Sequence, residues 1–142
     1  MIKTQNEITV QPREGRVGYP YLMPIRAIRG ATQVDEDSPE QLKIAVQELI
    51  SELLLQNQLT PQDLVSIFFT ATPDLTSDFP AASARGMGLE AVPLMCAVEI
   101  AVPNALPRVI RVMIHCETPR TQIEISHVYL RGAKSLRKDL AQ

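Results

Sequence analysis

The sequence contains no tryptophan, aromatic residues make up only 4% of it, and its basic residues form no long stripe. Fourteen Lys and Arg against sixteen Asp and Glu give a net charge of -2. A protein that tracks a nucleic-acid backbone needs a basic groove and commonly aromatic side chains on which bases stack. The composition therefore predicts that nucleic acid is not a partner.

Cysteine and histidine are equally scarce, with two of each. Two cysteines are too few for a disulfide framework. Cys96 and Cys116 are also not spaced from His115 or His127 as the ligands of a metal site would be. We therefore expect no metal site.

Long apolar runs are missing as well. No run approaches the roughly 18 residues needed to span a bilayer, and the N-terminal region lacks the apolar stretch of a signal peptide. A chain of 142 residues that is 45% hydrophobic has room for one ordinary core. We interpret the protein as soluble and cytoplasmic, with one domain and no membrane partner.

Arginine is the basic residue that the chain does have in quantity, since ten of its fourteen basic residues are Arg. The rigid guanidinium fork matches a carboxylate with two hydrogen bonds, whereas Lys offers only a point charge. An anionic small molecule is therefore a candidate ligand. The alternative is that these arginines simply solvate the surface.

The chain divides near residue 22. Residues 1–22 carry few large apolar side chains and several prolines and glycines, which predicts an extension outside the core. The domain is expected over residues 23–142. It opens with an alternating segment that predicts a short strand stopped by Gly30, with Arg29 at the strand end.

Ser38 and Pro39 mark the beginning of a helix. They supply an N-cap serine and a proline at the first helical position, and Gln41 completes a capping-box pattern. Apolar residues then recur at helical spacing as far as about Asn57, which predicts an amphipathic helix packed on the core. These residues are Leu42, Val46, Leu49, Ile50, Leu53 and Leu54.

Strand patterns and short helical patterns interleave after this helix. Strands are predicted at 64–71, at 92–100, around Arg111 and at 125–130, with Pro93 at a strand start or on an edge strand. Asp78 is predicted to cap a short helix that carries Ala81, Ala82, Ala84 and Arg85 and ends at Gly86 or Gly88. The fold class is therefore α/β (α+β), a mixed β-sheet with packed helices.

Polar residues stand in these strands where apolar ones would pack better. Burying an uncompensated charge costs several kcal/mol, so Arg111 and Glu99 in apolar strands predict either an ion pair or a cavity that faces a ligand. Each residue alone also has an ordinary explanation, such as a position at a strand end. Cys96 and Glu99 are three residues apart, so a regular strand would place them on opposite faces unless it bends. The set comprises Arg29, Cys96, Glu99, Arg111 and Tyr129.

Several segments together resemble the monofunctional AroH-type chorismate mutases. They are Ile28-Arg-Gly-Ala-Thr32, Thr70-Ala-Thr-Pro-Asp-Leu75 with Phe79-Pro-Ala81, Val92-Pro-Leu-Met-Cys96 with Glu99, Ile110-Arg-Val-Met113 and His127-Val-Tyr-Leu130. The resemblance runs in order from about Ile25 to Leu140. It implies a chorismate-mutase-like homotrimer, described as a pseudo-α/β barrel, with three active sites at the subunit interfaces.

The same resemblance implies a role for each matching residue. Arg111 would face the ether oxygen of chorismate, Arg29 and Tyr129 would hold a substrate carboxylate, and Glu99 and Cys96 would contact the ring hydroxyl. The [3,3] rearrangement to prephenate needs no nucleophile, base, metal or cofactor. The wall contributed by the neighbouring subunit would consist of Phe79, Ala81, Arg85, Leu94 and Met95. Leu136 and Arg137 would close the site from the C-terminal tail.

Two positions depart from the family pattern, and both bear on substrate affinity. Ala82 stands where a lysine is common, and Met95 stands where a threonine is common. Residues 1–22 have no counterpart in the resemblance, and one hypothesis is that translation starts at Met23. Two other functions stay open, because a fold alone does not fix function. They are a trimeric small-molecule binder or imine deaminase of the same superfold, and a catalytically silent regulatory subunit.

Overall fold

The computed structural model describes residues 23–138, and the predicted extension at 1–22 lies outside the described residues. These described residues form one five-stranded sheet in the order β3-β2-β4-β1-β5. Its strands are β1 (Ile25–Gln33), β2 (Leu64–Ala71), β3 (Leu94–Val98), β4 (Val109–Glu117) and β5 (Val128–Tyr129). The helices are α1 (Pro39–Asn57), α2 (Pro80–Ser83) and three 3₁₀ helices at Pro61–Asp63, Gln122–Glu124 and Arg131–Leu136.

The sheet is mixed, as predicted. β4 pairs antiparallel with β1 and β2, whereas the edge strands β3 and β5 pair parallel with their neighbours β2 and β1.

Helix α1 begins where the sequence predicts. The Ser38 hydroxyl accepts a hydrogen bond from Gln41 N at 3.2 Å, and Pro39 occupies the first turn. The second half of the expected capping box is wrong, because the Gln41 side chain accepts from Glu36 N at 3.0 Å and not from Ser38 N. The N–H of Ser38 already donates to the Glu36 carbonyl, so it is not available to Gln41.

The apolar face of α1 packs against one face of the sheet, which we call the helix face. Leu42, Val46, Leu49, Ile50 and Leu53 are fully buried there, and Leu54 is partly buried. Gly30 lies beneath the helix, since a Cβ at that position would come within 2.8 Å of Leu53 Cδ1. The missing side chain therefore permits close packing between strand and helix.

Gly30 does not end β1, and the predicted strand end is therefore wrong. The pairing with β4 continues through Thr32 and Gln33, so Arg29 lies in the middle of the strand. The glycine interrupts neither ladder because it keeps its backbone N–H and C=O. Its place in the sequence reflects packing against α1 and not a chain break.

Two further predicted boundaries are also corrected. The N-cap of α2 is Phe79, not Asp78, because the Asp78 carboxylate accepts from the adjacent Phe79 N at 2.7 Å and reaches no later turn of the helix. The helix then ends at Ser83. β5 comprises only Val128 and Tyr129, and residues 125–127 are not paired as a strand.

The prediction for Pro93 is confirmed, because β3 begins at the next residue and lies at an edge of the sheet. The face of the sheet opposite α1, which we call the open face, keeps part of its surface exposed. Its exposed members include Ala27, Arg29, Phe68, Met95, Ala97 and Arg111. Within residues 23–138, none of the helices is long and apolar enough to cross a membrane.

Candidate active site

Arg111 and Glu99 form an ion pair on the open face. Arg111 lies in β4, and its Nε is 2.8 Å from Oε1 of Glu99. Glu99 follows β3 directly, and its N–H donates to the Ala71 carbonyl at 2.9 Å, which extends the pairing with β2 by one residue. The Glu99 side chain is 16% exposed and that of Arg111 is 49% exposed. The ion pair that the apolar strands predicted is therefore present.

A third residue fixes the carboxylate. The Thr70 hydroxyl donates to the same Glu99 Oε1 at 2.7 Å. Thr70 is paired with Arg111 across the two strands, so both side chains project to the same face. Among the described residues, no group pairs with Glu99 Oε2 or with the two terminal nitrogens of Arg111. The pair thus presents one carboxylate oxygen and two N–H-bearing nitrogens to a ligand.

Arg29 and Tyr129 lie on the same face as this pair. Arg29 is opposite Met113 on β4, which makes Arg111 its diagonal neighbour at roughly 7–8 Å between backbones. Tyr129 is paired with Ala31, and Ala31 is paired in turn with Arg111. One row of the sheet therefore carries Tyr129, a small alanine and Arg111, with Arg29 beside it.

Cys96 is not part of this group. It is paired with the buried Phe69 and projects to the helix face, where its Sγ accepts from Ala81 N at 3.3 Å. Cys96 and Glu99 are three residues apart, and their side chains lie on opposite faces of the sheet, as expected for a regular strand. Cys96 lines a second cleft with Phe79, Ala81 and Arg85.

The two other wall residues, Leu94 and Met95, do not line this second cleft. Leu94 shares the helix face with Cys96 and lines a depression with Arg85, whereas Met95 lies on the open face and is 61% exposed. Phe79 is 70% exposed. The residues implied by the resemblance therefore fall into two groups within one protomer. The first group is Arg29, Glu99, Arg111 and Tyr129, and the second is Phe79, Ala81, Arg85, Leu94 and Cys96. Met95 lies on the open face at the β3 edge of the sheet, apart from the second group.

The loop between the two groups is held by two carboxylates. Asp37 accepts from Thr76 N at 3.0 Å and from Ser77 N at 3.1 Å, and Asp74 accepts from Arg108 N at 2.9 Å. Hydrogen bonds from Ser77 and Thr76 stabilise the charged form of Asp37 and lower the pKa of its carboxyl. These bonds fix the segment that leads into Phe79.

The C-terminal residues implied by the resemblance lie at the end of a 3₁₀ helix that contacts β1. Leu136 ends the last 3₁₀ helix and Arg137 follows it, and both are partly buried. Arg137 acts electrostatically on His127, whose Nδ1 accepts from Arg29 N at 3.0 Å. Burial, and then the charges of Arg29 and Arg137, lower the pKa of His127.

Sequence reasoning assigned no role to three residues that hold the site together: Thr70, Asp37 and His127. Thr70 and His127 lie inside segments that carry the resemblance, but their contacts depend on strand register and on a side chain that approaches from another element. Asp37 contacts residues 39 and 40 positions further along the chain. Asp37 is a polar residue just before a helix, and this position in the sequence does not predict hydrogen bonds to so distant a loop.

Comparison with known proteins gives consistent relationships. The sequence model of the family described as chorismate mutase type I matches residues 25–140. The chain is 47% identical over 117 residues to chorismate mutase AroH of Thermus thermophilus, which covers 82% of this chain and 96% of that protein. It is 39% identical over 120 residues to chorismate mutase AroH of Bacillus subtilis (strain 168), covering 84% and 94% respectively.

A solved structure agrees with these relationships. A chorismate mutase from Clostridium thermocellum superposes with a TM-score of 0.76 at 44% sequence identity, and the match covers 78% of this chain and 98% of that one. The likeness thus includes both the sequence and the five-stranded architecture. The chain belongs to the type I chorismate mutase family.

Proposed function

We propose that the protein converts chorismate to prephenate, a step of aromatic amino acid biosynthesis, with Arg111 and Glu99 at the centre of its active site. Membership of the family supports the reaction. The observation that carries the assignment of residues is the Glu99–Arg111 pair at 2.8 Å, in which Glu99 contacts Nε of Arg111 and the arginine side chain stays 49% exposed.

The chemistry needs a fixed cation and little else. The ether C–O bond of chorismate breaks while a C–C bond forms within the same molecule, so no proton or group leaves. Negative charge accumulates on the ether oxygen in the transition state. A guanidinium already aimed at that oxygen binds the transition state more strongly than the substrate, and this difference accelerates the reaction.

Other residues of the proposed site bind and orient the substrate. Arg29 and Tyr129 hold a carboxylate, and Glu99 accepts a hydrogen bond from the ring hydroxyl through Oε2. Cys96 contacts the same hydroxyl from the second group of residues. Holding chorismate in the folded, reactive conformation removes much of the entropic barrier. No base, metal or cofactor takes part.

The proposed site is shared between subunits of a homotrimer. Within one protomer the two groups of residues lie apart, and the second group would reach the first only from a neighbouring copy. Exposed apolar side chains support such an association, since Phe68, Met95, Val98 and Ile100 are 42%, 61%, 72% and 88% exposed. Leu136 and Arg137 would close the site, and the cytoplasm is the proposed location.

An assay of chorismate turnover tests the function directly. Purified protein is mixed with chorismate without added metal or cofactor, and the ultraviolet absorbance of chorismate is followed while proton NMR identifies the product. Saturable conversion to prephenate is expected. Binding of chorismate without conversion would contradict the proposal and favour a ligand-binding protein of the same fold.

A further inference from the structure

Residues 125–127 are held in place by a side chain of α1 and not by a strand ladder. Asn57, at the end of α1, is only 2% exposed. Its Oδ1 accepts from Ser126 N at 2.8 Å, and its Nδ2 donates to the Ser126 and Leu53 carbonyls at 2.8 and 2.9 Å. Both backbone groups of Ser126 are therefore fixed immediately before His127.

The side chain of His127 accepts a hydrogen bond that a backbone carbonyl would accept in a longer β5. The pairing of β5 with β1 begins at Val128 and Gly30, so no carbonyl of β5 reaches the N–H of Arg29. The imidazole Nδ1 accepts this N–H at 3.0 Å. Because a backbone N–H can only donate, Nδ1 must carry its lone pair and the ring proton must lie on Nε2.

We propose that His127 is a positioning residue that fixes Arg29, through this hydrogen bond, in the orientation needed to bind a carboxylate of the substrate. The inference rests on the proposed function, in which Arg29 contacts that carboxylate. His127 and Arg29 also line one cleft with Ala27, Met113 and Gln122, so a shift of the Arg29 backbone displaces its side chain within that cleft.

The surroundings of His127 suit this role. A protonated imidazole has no acceptor, so the bond to Arg29 requires the neutral ring. Burial and the positive charges of Arg29 and Arg137 lower the pKa of His127, which keeps the ring neutral. The acceptor is thereby preserved at the pH at which the substrate carboxylates are charged.

Two substitutions test whether the position of the hydrogen-bond acceptor is the property of His127 that matters. Both introduce an amide side chain, so their polarity is similar. In His127→Asn the side-chain oxygen can occupy the place of Nδ1, whereas in His127→Gln it reaches toward the place of Nε2. We expect His127→Asn to keep KM for chorismate within about threefold of the wild-type value and His127→Gln to raise KM by about tenfold, with kcat little changed. Equal KM values for the two variants, at equal thermal stability, would overturn the proposal.

A double-mutant cycle with Arg29 distinguishes positioning from a general structural role. His127→Gln should not raise KM further in the Arg29→Ala background, because the group that it positions is gone. An equal increase in both backgrounds would overturn the inference and leave the proposed function intact. If Arg29→Ala itself leaves KM unchanged, the role of Arg29 in the proposed function fails, and the inference fails with it.

The tautomer of His127 provides a test that is independent of activity. Long-range proton–nitrogen NMR of the ¹⁵N-histidine-labelled protein reports which ring nitrogen carries the proton. The expected signature is a non-protonated Nδ1 and a protonated Nε2. A proton on Nδ1 at neutral pH would contradict the hydrogen bond from Arg29 and overturn the proposal.

Discussion

Arg111 and Glu99 are paired at 2.8 Å, and Thr70 holds the same carboxylate oxygen at 2.7 Å. Because Nε is the atom engaged, the guanidinium plane is fixed while its two terminal nitrogens stay available. Fixing the charge in advance means that little reorganisation is needed as the reaction proceeds.

Replacing Arg111 should remove most of the turnover. We expect Arg111→Ala to lower kcat by at least about a hundredfold, and Arg111→Lys to recover little because an ammonium cannot pair with Glu99 and the substrate in the same fork geometry. Stopped-assay kinetics with chorismate measure this effect, and circular dichroism checks the fold. The matched control is Glu48→Gln, which breaks the exposed pair with Arg131 at 2.8 Å and should leave kcat unchanged. Near-normal turnover of Arg111→Ala would contradict the electrostatic mechanism.

The Thr70 hydroxyl should matter for activity more than for stability. Thr70→Val keeps the shape of the side chain but removes the donor to Glu99, so we expect kcat/KM to fall by about three- to tenfold. Thr32→Val is the control, because the Thr32 hydroxyl is buried without a partner among the described residues and the position lies on the helix face. This control should keep full activity. Equal activity of both variants would show that Thr70 does not position Glu99.

The framework of the fold could be predicted from the sequence, and the reason is local. The α1 helix follows from a cap, a proline and an apolar stripe that lie within twenty residues, and β4 follows from a run of β-branched residues. The errors at Gly30 and at 125–127 have a different origin. In both places the outcome depends on what packs from α1, Leu53 in one case and Asn57 in the other.

Asp37 should make the loop before Phe79 sensitive to acid. Its folded-state pKa is lowered below the ordinary value of 3.8, so its contribution to stability is fully present above that value and is lost as the pH falls through the folded pKa. Asp37→Asn should therefore reduce the difference in urea midpoint between pH 6 and about pH 2.5. Asp35→Asn, which alters a neighbouring exposed carboxylate that makes no hydrogen bond or ion pair within residues 23–138, should preserve that difference. An unchanged pH dependence in Asp37→Asn would contradict this role.

Mixing two inactive variants tests the sharing of the site between subunits. Arg111→Ala damages the first group of residues and Arg85→Ala the second. If each site combines one group from each of two neighbours in a ring, random co-assembly leaves about a quarter of the sites intact. Co-expressed and co-purified variants should then regain about a quarter of the wild-type activity, whereas each variant alone stays impaired. No recovery in a mixed oligomer, verified by mass spectrometry, would place both groups in one subunit.

The site could be predicted from the sequence only as a set of residue types. Arg111 and Glu99 were recognisable because charged side chains interrupt apolar strands, and the structure pairs them. The separation of Cys96 from Glu99 followed from strand periodicity, but its consequence, two groups on different faces, required the sheet. The resemblance to the family implied a role for each residue but did not indicate which residues contact one another. Thr70, Asn57 and His127 therefore became visible only through their hydrogen bonds.

The strand order has a consequence for how the chain folds during synthesis. β1 emerges first from the ribosome, yet its partners are β4 and β5, and the register joins Ile25 to Glu117. The apolar face of α1 therefore has no complete sheet to cover until β4 has been translated. Contacts between residues so distant in sequence slow folding. We expect the nascent chain to keep α1 and β1 exposed for most of translation, so that chaperone binding and aggregation compete with folding until the last third of the protein appears.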